Sequence, residues 1–177
     1  MLVSLIGYRG TGKSSVAPLL AERLGWNWID ADTELEHRAG RTIKQIFAAE
    51  GELGFRKRER DVLQELLQRD KLVLAAGGGA ILNADTRREL REAGPVVWLT
   101  ASVATIAARI LEDASTTKRR PQLTSAGGVR EIEELLAIRE PLYRECASLE
   151  IDTEGWDVNQ VVERILAYLR KRNLPGA

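Results

Sequence analysis

"GYRGTGKSS", residues 7–15, decides the fold. It contains the spacing G-x-x-x-x-G-K-[ST] from Gly7 to Ser14, and an apolar run, "LVSLIG" (2–7), leads into it. The glycines let successive backbone N–H groups curl around phosphate oxygens. The positive end of a helix starting near Lys13 adds to that attraction. Lys13 is suited to reach the terminal phosphates of a nucleoside triphosphate, and the Ser14 hydroxyl is suited to Mg²⁺. A strand before the loop and a helix after it are the context the motif requires.

Outward from the loop, strand-like and helix-like runs alternate. The first helix is predicted over 13–24, with Val16, Leu19, Leu20, Ala21 and Leu24 on one apolar face. "WNWID" (26–30) reads as a second strand, and 33–49 and 53–70 read as helices punctuated by Gly40, Gly51 and Gly54. "KLVLAA" (71–76) is a buried strand ending at Gly77, Gly78 and Gly79. Asn83 or Asp85 can cap a helix running to about Glu92. "PVVWLT" (95–100) is a fourth strand, and another helix starts at Ser102. A helix over 129–147, the strand "LEID" (149–152) and an amphipathic helix to Arg172 complete the pattern. Such alternation implies right-handed crossovers and an α/β fold, a five-stranded parallel sheet with helices on both faces. The stretch 112–128, "EDASTTKRRPQLTSAGG", is polar and lacks apolar periodicity. Connections of that length are usually disordered or serve as lids.

Bulk properties narrow the function. A chain of 177 residues suits one compact domain, residues 1–177. Lys plus Arg and Asp plus Glu balance at 26 each, so net charge gives no general attraction to nucleic acid or membrane. The single Cys146 fits a reducing compartment, here the cytoplasm. His37 is the one histidine, which argues against a histidine-based metal site. "MLVSLIG" lacks a basic leader and reads as a strand rather than a signal peptide. No apolar run reaches membrane-spanning length.

Four further stretches carry candidate chemistry. "DAD" puts Asp30 and Asp32 at the end of the second strand, where ligands of open α/β sheets bind. One carboxylate can hold a metal through water, and the other can accept a proton from an attacking hydroxyl. A helix cap is the competing role for an aspartate here. In "GFRKRE" (54–59), Arg56 is a fork-shaped donor for a carboxylate or phosphate, and Phe55 beside it suits a small, partly apolar anion. "KRRP" (118–121) puts arginines in the lid candidate, where one could close over phosphates. In "AIREPLY" (137–143), Arg139 by itself reads as a surface ion pair.

In this order, the phosphate loop, "DAD", "FRKRE", the strand leading to "GGG", "RRP", "REPLYRECA" and "IDT" resemble the shikimate kinases over nearly the whole chain. The resemblance implies a P-loop NTPase fold, a three-layer α/β/α sandwich with strand order 2-3-1-4-5 and a mobile lid at about 112–127. It implies ATP-dependent phosphorylation of the 3-hydroxyl of shikimate, with Mg²⁺, by a monomer. Gly10, Thr11, Gly12, Lys13, Ser14 and Ser15 would hold ATP phosphates. Ser14 would ligate Mg²⁺, and Asp30 would contact it through water. Asp32 would bind the acceptor hydroxyls and orient or deprotonate the nucleophile. Arg56 and Arg139 would hold the shikimate carboxylate, within an acceptor-binding region at about 31–61 and the helix that carries Arg139. Gly77, Gly78 and Gly79 would form a floor for the acceptor, most closely through Gly78, besides making a strand-to-helix turn. Glu59 would tether a basic group, and Arg120, assigned over Arg119 by the following Pro121, would approach ATP from the lid.

Two departures stand out. Ala76 stands where many relatives have Thr or Ser, and "EGWD" follows "IDT" where a basic residue is common near the adenine. Trp156 could stack on the base or simply pack. A kinase for another small acid such as gluconate, a nucleoside monophosphate kinase and a GTP-type switch share parts of the pattern. The paired arginines and the triple glycine favour shikimate over gluconate, and no N-K-x-D tetrapeptide supports guanine binding.

Overall fold

The computed structural model describes residues 1–112 and 128–173. Five strands, β1 (Leu2–Ile6), β2 (Asn27–Asp30), β3 (Leu72–Ala75), β4 (Val96–Thr100) and β5 (Leu149–Asp152), form one sheet in the order β2-β3-β1-β4-β5. Every neighbouring pair is parallel. The expected fold and strand order are present, and each strand lies within a residue or two of its predicted limits.

Alternation along each strand sorts side chains between two cores, as a period of two requires. Val3, Leu5, Val73, Ala75, Val97 and Leu99 pack on one face against α1 (Lys13–Leu24) and α7 (Val158–Lys171). Leu2, Ile6, Leu72, Leu74, Val96 and Trp98 face the other way. There they meet side chains of α2 (Ala31–Ala39), α3 (Ile43–Leu66), α4 (Ala84–Ala93) and α6 (Gly128–Cys146). Helix α5 (Val103–Glu112) joins a smaller cluster in which Ile106 and Ile132 enclose Tyr8. Among the described residues no helix is long and apolar enough to cross a membrane.

The helix boundaries correct the sequence reading in one region. The predicted helix over 33–49 is broken at Gly40, and a new helix opens at Ile43. Thr42 and Gln45 make a reciprocal capping box there, which satisfies N–H groups at the new helix start. That second helix runs on through Gly54, turning only at Gly51, whose φ of 68° departs from helical geometry. Asn83, rather than Asp85, caps α4.

Register sets the site. Asp30, Ala75 and Leu5 stand side by side at the carboxyl ends of β2, β3 and β1. The segments following these three strands therefore emerge at one edge, where open α/β sheets bind their ligands.

Ion pairs brace α2 on α3. Arg38 on α2 gives Glu65 on α3 two hydrogen bonds, at 2.5 and 2.9 Å, and bonds Glu34 at 2.7 Å. Hydrogen bonds from Arg38 and then Arg69 hold the Glu65 carboxyl down at about 2. A carboxyl lowered on folding stabilises the fold above its ordinary value of 4.5, and the contribution disappears as pH falls toward about 2. Glu65→Gln is expected to flatten the fall in melting temperature across that acid window, read by a series of thermal melts. The pair is solvent-screened, so the change at neutral pH should be small.

Candidate active site

Two cavities adjoin at the edge formed by the strand ends. The first is lined by Gly10, Gly12, Lys13, Ser14 and Ser15 of the loop, with Asp30, Asp32, Ala76, Gly78, Arg9, Arg109 and Glu112. The second is lined by Tyr8, Arg9, Asp32, Ile43, Phe47, Phe55, Arg56, Glu59, Gly78, Gly79 and Arg139.

The loop of the first cavity turns through positive φ at Gly10 (81°) and Gly12 (95°), where a side chain would be strained. Lys13 lies under it, its Nζ donating to the carbonyls of Gly7 and Tyr8, each at 2.8 Å. Thr11 is turned inward, 1% exposed, and its hydroxyl donates to the Tyr8 carbonyl at 2.8 Å. Its side chain shapes the loop and does not line the cavity. The Ser14 hydroxyl donates to Asp30 Oδ2 at 2.6 Å. The other oxygen of Asp30 accepts from the N–H groups of Asp32 and Thr33. The helix cap is thus Asp30, and one carboxylate both caps α2 and meets Ser14. Asp32 stands in the first turn of the helix, 8% exposed, and lines both cavities.

The second cavity has cationic groups and an apolar wall. Phe47 and Phe55, whose ring centroids are 4.6 Å apart, face each other across the turn at Gly51. Arg56 projects from α3, bonded to Glu59 at 2.7 Å and more loosely to Glu52 at 3.3 Å. Glu59 is buried. Desolvation raises its carboxyl above the ordinary range, the nearby Asp32 adds to the rise, and Arg56 opposes it. Arg139 is 6% exposed on α6, so the surface ion-pair reading of this residue is wrong. Its Nη1 lies 3.4 Å from the Gly78 carbonyl, and its guanidinium is 5.7 Å from the Tyr8 ring centroid.

The triple glycine has a physical reason. A Cβ on Gly77 would lie 2.7 Å from Asp32 Oδ1 and 2.9 Å from Glu59 Oε1. A Cβ on Gly79 would overlap Arg56 Nη1 and lie 2.7 Å from Nη2. These glycines admit the charged groups close to the backbone. Gly78 and Gly79 line the second cavity, while Gly77 backs the two carboxylates from behind.

Several contributors escaped the sequence reading, Phe47 of the apolar wall among them. Tyr143 OH donates to the Gly78 carbonyl at 2.6 Å and stacks on Trp98, fixing the middle glycine. Its spacing of four from Arg139 is the helical signal that places both on one face. Arg109 donates to the Gly10 carbonyl at 3.2 Å and to Thr153 Oγ1 at 3.1 Å, so the "IDT" threonine holds an arginine at the phosphate cavity. Trp156 is half-exposed and does not line that cavity. Arg9 appears in both cavities. Arg119, Arg120 and the lid expected at about 112–127 lie, apart from Glu112, outside the described residues. Ala76 lines the phosphate cavity, where the Ser14–Asp30 bond forms with no hydroxyl from that position.

Known proteins were compared with this chain. The family model for shikimate kinase matches residues 9–170. A shikimate kinase of Pseudomonas savastanoi pv. phaseolicola is 45% identical over 165 residues, 93% of this chain and 94% of the relative. A solved shikimate kinase from Acinetobacter baumannii, in complex with shikimate, superposes with a TM-score of 0.91 at 41% identity, covering 98% of this chain and 94% of that one. A gluconokinase from Sinorhizobium meliloti shares the fold alone, at 18% identity and a TM-score of 0.56.

The glycine geometry is directly testable. Gly79→Ala is expected to fold, because the clashing atoms are the far end of a flexible side chain. Arg56 should then be displaced from the cavity in the variant's crystal structure. An Arg56 still in place would show that the backbone gives way instead.

Proposed function

The chain belongs to the shikimate kinase family, and we propose that it transfers the γ-phosphoryl group of ATP to the 3-hydroxyl of shikimate, yielding shikimate 3-phosphate and ADP on the route to chorismate and aromatic amino acids. The observation that carries this reading is the pair of adjoining cavities, one built from the phosphate loop and the other bearing Arg56 and Arg139, with Asp32 lining both.

Phosphoryl transfer needs chiefly alignment and charge stabilisation. Gly10, Thr11, Gly12, Lys13, Ser14 and Ser15 hold the donor phosphates, Thr11 through its backbone. Lys13 exchanges loop carbonyls for phosphate oxygens. Arg56 and Arg139 take the shikimate carboxylate, and Phe47 and Phe55 cover the ring. Gly78 and Gly79 form the floor, and Gly77 lets Asp32 and Glu59 sit close behind it. This fixes the acceptor's direction and turns its hydroxyl end toward Asp32. Asp32 orients the 3-hydroxyl or takes its proton as the new O–P bond forms and the bond from Pγ to the β-phosphate oxygen breaks.

Hard oxygen donors at Ser14 and Asp30 fit Mg²⁺; Ser14 would hold the ion and Asp30 would contact it through water. The ion, when bound, neutralises phosphate charge. Arg120, outside the described residues, would add positive charge at the donor phosphates. The chain acts as one domain and as a monomer, with 31–61 framing the acceptor. It works in the cytoplasm without nucleic-acid or membrane partners, which the balanced charge and the single cysteine favour.

In a coupled ADP-release assay, shikimate should elicit turnover that gluconate and nucleoside monophosphates do not. Asp32→Asn and Lys13→Met should abolish it, by about a hundredfold or more. Arg56→Ala and Gly79→Ala should raise the shikimate KM by about ten- to a hundredfold, the worth of a charge-assisted hydrogen bond, and leave the ATP KM near that of the parent. A folded protein that binds ATP but releases no ADP on adding shikimate would overturn the proposal.

A further inference from the structure

Only three of the residues described here line both cavities: Asp32, Gly78 and Arg9. A group passing from donor to acceptor crosses the boundary they form. Asp32 faces the hydroxyl and Gly78 contributes backbone. Arg9, the third residue of the phosphate loop, is the cation of the set.

Arg9 is held in place. Its Nη2 donates to Glu131 Oε1 at 2.9 Å, and the Glu131 side chain is 1% exposed. Arg9 also lies with its guanidinium 5.8 Å from the Tyr8 ring centroid, close to the distance of Arg139 from the same ring. Its Nε is buried and has no hydrogen-bond partner among the described residues, so donor capacity remains after Glu131 is satisfied. Glu131 stands in the first turn of α6, the helix that carries Arg139 two turns later and Tyr143 beyond it. A buried ion pair is a poor stabiliser compared with apolar side chains of similar size. Stability alone therefore explains little of why a wholly buried glutamate holds an arginine at this boundary.

We propose that Arg9 is a second positive group on the transfer path: it stabilises charge on the phosphoryl group as it moves from donor to acceptor, and Glu131 is the positioning residue that holds it there. The inference rests on the kinase reading above and adds a residue to it. Charge stabilisation in the transition state should appear in kcat, whereas an aid to acceptor binding should appear in KM.

The test is steady-state kinetics with shikimate and ATP on the parent and four variants, with a thermal melt of each. Arg9→Met is expected to lower kcat about ten- to a hundredfold, less than an enclosed oxyanion donor because the site is partly open, with the shikimate KM within about twofold. Arg9→Lys should restore much of the loss. Glu131→Gln should lower kcat by less, and Arg9→Met with Glu131→Gln should be no worse than Arg9→Met alone, since Glu131 acts through Arg9. If Arg9→Met is too unstable to assay, Arg9→Lys and Glu131→Gln still read the kcat–KM split. An unchanged kcat, a loss confined to the shikimate KM, or effects of the two sites that multiply would each overturn the proposal. A parent enzyme with no shikimate-dependent turnover would instead defeat the kinase reading, and this inference with it.

Discussion

Strand β3 lies between the two strands whose ends carry the chemistry, and whatever joins them must pass over its end. The phosphate loop follows β1 and the two aspartates follow β2, yet Ser14 and Asp30 meet at 2.6 Å. That contact spans the point where β3 gives way to Ala76 and the three glycines. Bulk there would push donor and acceptor sites apart. The composition of this segment is thus a steric demand of the strand order. Gly77 and Gly79 meet it, since an added Cβ would strike Asp32 and Glu59 at the first and Arg56 at the second.

The same crowding explains the electrostatics. Asp32 and Glu59 approach the Gly77 backbone together, two carboxylates in a space that excludes most water. Such neighbours disfavour both being charged unless cations stand close. Arg56 and Arg139 are those cations: both lower the Glu59 carboxyl against the burial that raises it. Arg56 therefore divides its donors between Glu59 and, more loosely, Glu52. In the proposed reading, an anionic acceptor would enter a site whose positive charge is already partly compensated, which limits the desolvation of bare guanidinium groups. On that reading, selectivity would come from the fork geometry of the two arginines and from the aromatic wall.

Much of this was legible in the residues. The loop spacing and the alternation of apolar runs specify the sheet, because both follow from local periodicity and backbone chemistry. Asp32, Arg56 and Arg139 belong to ordered motifs, and the structure brings all three to one cavity. The break at Gly40 was misread because glycine marks possible ends without ranking them. The Thr42–Gln45 box decided between them, and it depends on a side chain folding back on its own backbone. Arg109 was invisible for another reason. In "ARILED" it looks like any polar residue of an amphipathic helix, and only tertiary packing brings it to Gly10 and Thr153. Arg9 was hidden inside the motif itself, at a position the phosphate-loop spacing leaves unspecified.

The division of labour within the fold follows from which parts repeat across chemistries. The loop after β1 carries the backbone N–H groups and the lysine suited to a triphosphate, and Lys13 lines the first cavity but not the second. A gluconokinase with the same sheet but 18% identity shows how far that frame can be kept while sequence departs. In the proposed reading, acceptor recognition resides in elements laid over the frame, α3 with Phe47, Phe55 and Arg56 and α6 with Arg139, which line one cavity. Both are tied to the glycine segment, α3 through the close packing of Arg56 on Gly79 and α6 through the Tyr143 bond to Gly78. The segment after β3 is therefore the common seat of the groups proposed to hold the acceptor, which come from distant parts of the chain. A change of acceptor would require α3 and α6 to be rebuilt around it together, because moving one alone would leave the other's cation aimed at nothing.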